Sequence, residues 1–333
     1  MRDRARSLFL SHETLLATVI LILGTALSLG TDSFLTLRNL EDVVTSNAYA
    51  AILCAGLVVV LVSGNIDISF AATASVAQYL AFAFLKATGN NWAALFLSVA
   101  AVGIGCGFVN AFLTQCLRLG SIIATVATLN IFFGFLMFFS GGKYISILPD
   151  WFYGGIALFS VTDSEGFKHR FNLQIILVVV SFVSSYLVLH VSNLGKQIRA
   201  VGGNVEAARR IGLNATGIGF FVFGYMGFIA SLAGVAQAQL AQTVVPSALV
   251  GTELDVLAAA ILGGASLAGG RGSVLGAFLG VALLAMLHNG LVLAGVSSYW
   301  VEVFNGLVVL IAASATAMKD RQMRWMKGRT ADV

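Results

Sequence analysis

The stretch from Val43 to Ser63 reads VVTSNAYAAILCAGLVVVLVS, 21 residues without a charged side chain. A helix needs about 20 apolar residues to cross the hydrocarbon core of a bilayer. Similar neutral runs lie on both sides of it: Thr14 to Thr31, Ile68 to Leu85, Trp92 to Leu117, Leu119 to Gly142 and Phe171 to Gly195. Further on come Ile211 to Thr252, Val256 to Gly270, Gly272 to Val301 and Val303 to Met318. The whole chain of 333 residues is 58% hydrophobic and only 10% Asp, Glu, Lys or Arg. Soluble domains carry about 25% charged residues. The sequence therefore reads as an all-α polytopic membrane protein with about ten transmembrane segments. Eight crossings plus two re-entrant segments fit the same pattern.

The basic residues support a layout with both termini in the cytoplasm. Residues 1–13 and 319–333 form basic tails around a membrane domain of residues 14–318. With that arrangement Arg2, Arg4, Arg6, Arg118, Lys196, Arg199, Arg209, Arg210, Arg271 and the basic residues of the last tail fall inside. Arg38, Lys86, Lys143, Lys168 and Arg170 fall outside. This is the bias that orients membrane proteins. The net charge of +4 is thus read as topological, not as a sign of nucleic-acid binding. The first apolar run follows a basic start as in a signal peptide, but its length and the spans after it favour a retained span.

Several functions are excluded by what the chain lacks. It has no G-x-x-x-x-G-K-[ST] loop; the nearest fragment, Ser140 to Lys143, is followed by Tyr144. It has no H-E-x-x-H or G-x-S-x-G motif, and its four histidines are scattered. Cys54, Cys106 and Cys116 lie in apolar runs and form no CxxC pair. No cofactor, metal or catalytic site is expected. Glycine is abundant, and Gly103, Gly105, Gly107 and the Gly276-x-x-x-Gly280 pair suit close helix contact.

One loop is basic and placed inside, residues 196–212. Within it Asn204 is suited to cap a short helix from Val205 to Arg210. Glu206 favours its start, Arg209 and Arg210 its end, and Gly212 its stop. Such a helix beneath a membrane bundle suits docking of a partner.

Four stretches in this order carry a resemblance: Val62 to Phe70 (VSGNIDISF), Ile123 to Leu129 (IATVATL) with Phe139 to Gly142, the loop just described, and Gly251 to Gly272 (GTELDVLAAAILGGASLAGGRG), followed by Leu287 to Leu291. Across roughly residues 40 to 315 the chain resembles the membrane permease subunits of bacterial ABC importers for simple sugars, the branch with ribose, xylose, rhamnose and autoinducer-2 permeases. The resemblance implies a transport subunit of the inner membrane, not an enzyme. Separate cytoplasmic ABC ATPase subunits would bind the ATP, a periplasmic sugar-binding protein would deliver the solute, and a second copy or a similar permease would complete the pore. It also implies that Arg199, Gly202, Gly203, Asn204, Glu206, Ala207, Arg209, Arg210 and Gly212 contact the ATPase. The sequence departs from the family at Asn65, where a glycine is usual, and at Phe70 and Ala71.

A neutral sugar needs polar partners with little fixed charge. The candidates for lining its path are Asn65, Asp67, Gln78, Asn110, Thr125, Thr128, Asn130, Glu253, Asp255 and Asn289. Acidic residues within the hydrophobic zone would point to an ion-coupled secondary carrier, the rival reading, but Asp67, Glu253, Asp255 and Glu302 all sit at segment ends and not in mid-span, which disfavours it.

Overall fold

The computed structural model describes residues 12–31, 33–88, 91–162, 168–297, 299–301, 303–304, 306–308, 310 and 314. Its helices in chain order are α1 (His12–Gly30), α2 (Leu37–Ser46), α3 (Ala48–Val62), α4 (Phe70–Thr88), α5 (Trp92–Ala111), α6 (Ser121–Ser140), α7 (Asp150–Tyr153), α8 (Leu173–Tyr186), α9 (Asn193–Gly203), α10 (Val205–Arg210), α11 (Ala215–Ala241), α12 (Glu253–Leu262) and α13 (Val274–Leu293). Single π turns extend α5 through Phe112–Cys116 and α8 through Leu187–Val191. One antiparallel hairpin, β1 (Ala157–Thr162) with β2 (Lys168–Asn172), lies between α7 and α8.

Among the described residues six helices are long and apolar enough to cross a membrane, or up to seven if the bent pair α2–α3 counts as one. The expectation of about ten segments is overturned, and with it the eight-plus-two variant. A charge-free run measures composition, whereas a span needs an unbroken helix. The run from Val43 enters a helix pair bent by 53° at Asn47. The run after Ile68 contains only the shorter apolar helix Phe70–Leu85, and the run after Thr252 only the ten residues of α12. Most of the segment expected from Val303 to Met318 lies outside the described residues, as do nearly all of both tails, so their sides are not tested.

The core forms where a helix is apolar all round, because such a helix must be buried. In α3 every residue from Ile52 to Val62 is buried. α11 crosses beside it and is buried along most of its length. Of the glycines singled out above, Gly105 is exposed and a methyl group there would meet nothing within 4 Å, but the other four let backbones touch. A methyl group on Gly103 would collide with the Gly227 carbonyl oxygen, and one on Gly107 with that of Phe223, so α5 lies against α11. Gly276 and Gly280 on α13 meet the carbonyls of Gly263 and Ala259 in the same way. Around this centre α1 is peripheral, with Leu16 its one buried residue, and α6 buries one side only, with Ala124, Thr125, Thr128, Leu136 and Ser140.

The bundle has two distinct ends. At one, the His12 imidazole meets the Leu262 carbonyl at 2.7 Å, and Val62, Gly202 and Gly270 converge. At the other, Ile145 and Val244 exchange backbone hydrogen bonds of 2.9 and 3.0 Å, and Phe82 packs edge-on against Phe152 at 4.8 Å.

Candidate functional site

The basic loop folds as two helices. Ser192 caps α9 by accepting from the Gly195 amide at 3.1 Å, and Asn204 caps α10 through the Ala207 amide at 3.0 Å. Gly212 leaves with φ +84°, a left-handed turn that ends the element. On α10, Glu206, Ala207, Arg209 and Arg210 are exposed. Arg209 and Glu206 are 3.6 Å apart at the surface, a pair worth little to stability. The exposed row is free to meet another protein.

The loop is joined to the bundle by the buried side chains of Ile198 and Val201 and by close backbone contact. A methyl group on Gly202 would collide with the Val62 carbonyl oxygen and sit 2.8 Å from the Gly270 nitrogen. The Gly270 amide donates to that same Val62 carbonyl at 2.9 Å. Gly203, exposed, lies against Gly270 from the other side. Arg199 donates to the Gly272 carbonyl at 3.3 Å and to His190 Nε2 at 3.2 Å. Arginine has no acceptor, so His190 accepts there. Three of the four quoted stretches thus meet at one point. Beside it lies a cleft of about 460 Å³ that Ser63, Asn65, Gln115 and Asn204 help to line.

Five of the ten path candidates cluster near this junction. Asn65, half-buried, donates to Ser63 Oγ at 3.0 Å. Asp67 is 3% exposed and accepts from the Ser69 amide and hydroxyl, both at 2.8 Å. Ser69 Oγ accepts from Asn110 Nδ2 at 2.7 Å, and Asn110 Oδ1 accepts from Thr128 at 2.6 Å. Thr125 accepts from the Ile68 amide at 3.2 Å and donates to the Ser121 carbonyl at 2.8 Å. Buried polar groups must be paired, and here they pair with one another. The chain of bonds ties the connector between α3 and α4 to α5 and α6.

The remaining candidates are scattered. Asn289 forms a two-way amide pair with Asn39, at 2.9 and 3.0 Å, joining α13 to α2. Glu253 is buried; one oxygen accepts from the Gly251 amide at 2.8 Å and the other has no partner. Asp255 stands exposed on the first turn of α12. Gln78 is buried on α4 with neither end of its carboxamide bonded. Asn130 is exposed in the middle of α6. Among the described residues no group of three or more His, Cys, Asp or Glu is placed to hold a metal.

Sequence reasoning missed the partners. Asn39, Ser69 and the His12 contact were not among the candidates: nothing local to Asn39 or His12 announces a mate 250 positions away, nor does Ser69 announce Asn110, 41 positions on. The Gly269–Gly270 pair was visible, but not its contact with Gly64 and Gly202.

Comparison with known proteins agrees with the architecture. A family model described as "Branched-chain amino acid transport system / permease component" matches residues 39–313. The chain is 29% identical to the ribose import permease protein of Escherichia coli (strain K12), over 91% of this chain and 92% of that one. It is 30% identical to the ribose import permease protein of Bacillus subtilis (strain 168), over 88% and 89%. It is also 30% identical to the autoinducer 2 import system permease protein of Yersinia enterocolitica, over 84% and 75%. No solved structure matches. A family match covering most of the chain, on a bundle of long apolar helices, makes this a multi-pass inner-membrane protein and a transport subunit, not an enzyme: it belongs to the permease components of the branched-chain amino acid transport system family.

Proposed function

We propose that the chain forms the translocation path of an ABC importer for a sugar-like solute. The observation that carries this reading is likeness along nearly the full length to relatives named as ribose and autoinducer 2 import permeases. Separate ATPase subunits drive it, a binding protein delivers solute to the opposite face, and a second permease completes the path. The exposed α10 helix is the docking element. The loop of residues 196–212 is its coupling arm, and its basic charge favours the cytoplasmic side.

The mechanism is alternating access. ATP binding moves the docked ATPase, and α9–α10 follows it as a unit. Gly202 presses on the ends of two interrupted segments at once, at Val62 and at Gly270, so one displacement shifts both. No bond is made in this chain. Of the path candidates, Gln78 fits a sugar best, since its amide lacks partners in this conformation and gains them from hydroxyls when the path opens.

The experiment is co-purification from native membranes followed by ATP-dependent uptake in vesicles. An ATPase partner and uptake of labelled ribose or xylose support the reading. Uptake of leucine instead moves the solute to branched-chain amino acids. Uptake on a proton or sodium gradient without ATP makes it a secondary carrier. Gly202→Ala is expected to abolish uptake while the ATPase still co-purifies. Normal uptake in that variant removes Gly202 from the coupling arm.

A further inference from the structure

We propose that the face of α6 bearing Ala127, Asn130 and Gly134 is the seam against which a second copy of this chain packs, the two Asn130 carboxamides meeting across a two-fold axis. This deepens the pairing proposed above by naming its surface.

Asn130 is the tenth of the 20 residues of α6, so it stands at mid-membrane depth. Its Nδ2 donates to the Val126 carbonyl at 2.8 Å, which uses one of its two N–H groups. The rest of the amide is exposed. Lipid tails offer it nothing, and an unpaired amide in hydrocarbon is costly. Among the described residues no other carboxamide is exposed in the middle of a long apolar helix. The exposed face of α1 makes the contrast. Its polar groups Thr18 and Thr25 return their hydroxyls to the Thr14 and Leu21 carbonyls, at 2.8 and 2.7 Å. That face is compatible with lipid, whereas the α6 face is not.

The flanking positions fit a close neighbour. Residues 127, 130 and 134 share one helix face by their spacing. Ala127 is exposed, and a methyl group on Gly134 would touch nothing within 4 Å. Small residues beside a polar one are how membrane helices approach and bond.

Depth identifies the occupant. Two copies insert in the same orientation, so their axis stands along the bilayer normal and each residue faces the depth of its counterpart. A second copy therefore brings a carboxamide to the level of Asn130. The group is self-complementary, with donor and acceptor side by side. The Asn39–Asn289 pair of this molecule displays the same two-way bond.

The test is disulfide trapping of the full chain in native membranes, with Cys106→Ser and Cys116→Ser removing the less buried thiols. Single cysteines are placed at Ala127 and Gly134 on the seam, and at Ile22 on α1 and Val179 on α8 as exposed controls. Copper-phenanthroline oxidation is expected to shift the Ala127→Cys and Gly134→Cys bands from one chain mass to two, and to leave the controls as monomer. A dimer through Ile22 or Val179 alone overturns the seam but keeps the pairing. No dimer at any position, or a link from Ala127 to a different chain, overturns both the seam and the like pairing. Adding Asn130→Ala to the Ala127→Cys chain is expected to lower the trapped fraction; an unchanged fraction overturns the amide pair.

Discussion

On one side of α6, Thr125 and Thr128 are buried and their hydroxyls are bonded, to the Ile68 amide and the Ser121 carbonyl and to Asn110. On the other, Asn130 is exposed with part of its amide unspent. All three are polar residues in one apolar run, and all three were candidates for the same role. The inner pair is consumed in holding the bundle together, leaving little capacity for a passing solute. Beyond its bond to the Val126 carbonyl on its own helix, the outer residue ties no other element of its chain. A polar side chain in a membrane helix thus has two distinct uses, and its bonding shows which one it serves.

Asn110→Leu should break the inner side most severely. It strips a donor from Ser69 and an acceptor from Thr128, and orphaned buried groups cost about 1–3 kcal/mol each. Thermal unfolding in detergent should show a loss of about 3 kcal/mol in sum. A variant as stable as the parent would mean the cluster is not a lock. Thr128→Val removes a single hydroxyl and should cost about 1 kcal/mol by the same assay, within the range of membrane hydrogen bonds. Asn130→Leu should change the unfolding of the single chain by less than about 0.5 kcal/mol, as for an exposed site whose one bond within the chain is to its own helix backbone. It should nevertheless reduce uptake. If Asn130→Leu unfolds the chain as readily as Asn110→Leu, the contrast between the two faces disappears.

Part of this contrast was legible in the letters. An α-helix turns about 100° per residue, which sets Asn130 about 140° from Thr125 around α6 and places Thr128 near Thr125. Periodicity alone separates the inner residues from the outer one, and grouping them by type concealed it. The short helix from Val205 to Arg210 and its Asn204 cap were legible too, because a cap is local chemistry. The glycine contacts of α5 and α13 followed from spacing. The number of spans did not, because the bend at Asn47 and the brevity of α12 are settled by packing against distant segments. Nor did the amide partner of Asn289, since either a solute or another helix satisfies a lone asparagine equally well on paper.

The links at the ends of the bundle also bear on how the chain is made. His12 waits for Leu262, and Asn39 for Asn289, each 250 positions later. Val62 likewise receives its amide donor from Gly270. A ribosome delivers the first fifth of the protein long before the residues that fasten it. Through most of synthesis the early helices must therefore remain loosely gathered, their carbonyls and amides served by temporary company. A chain cut short before the last quarter carries every one of these groups without its partner.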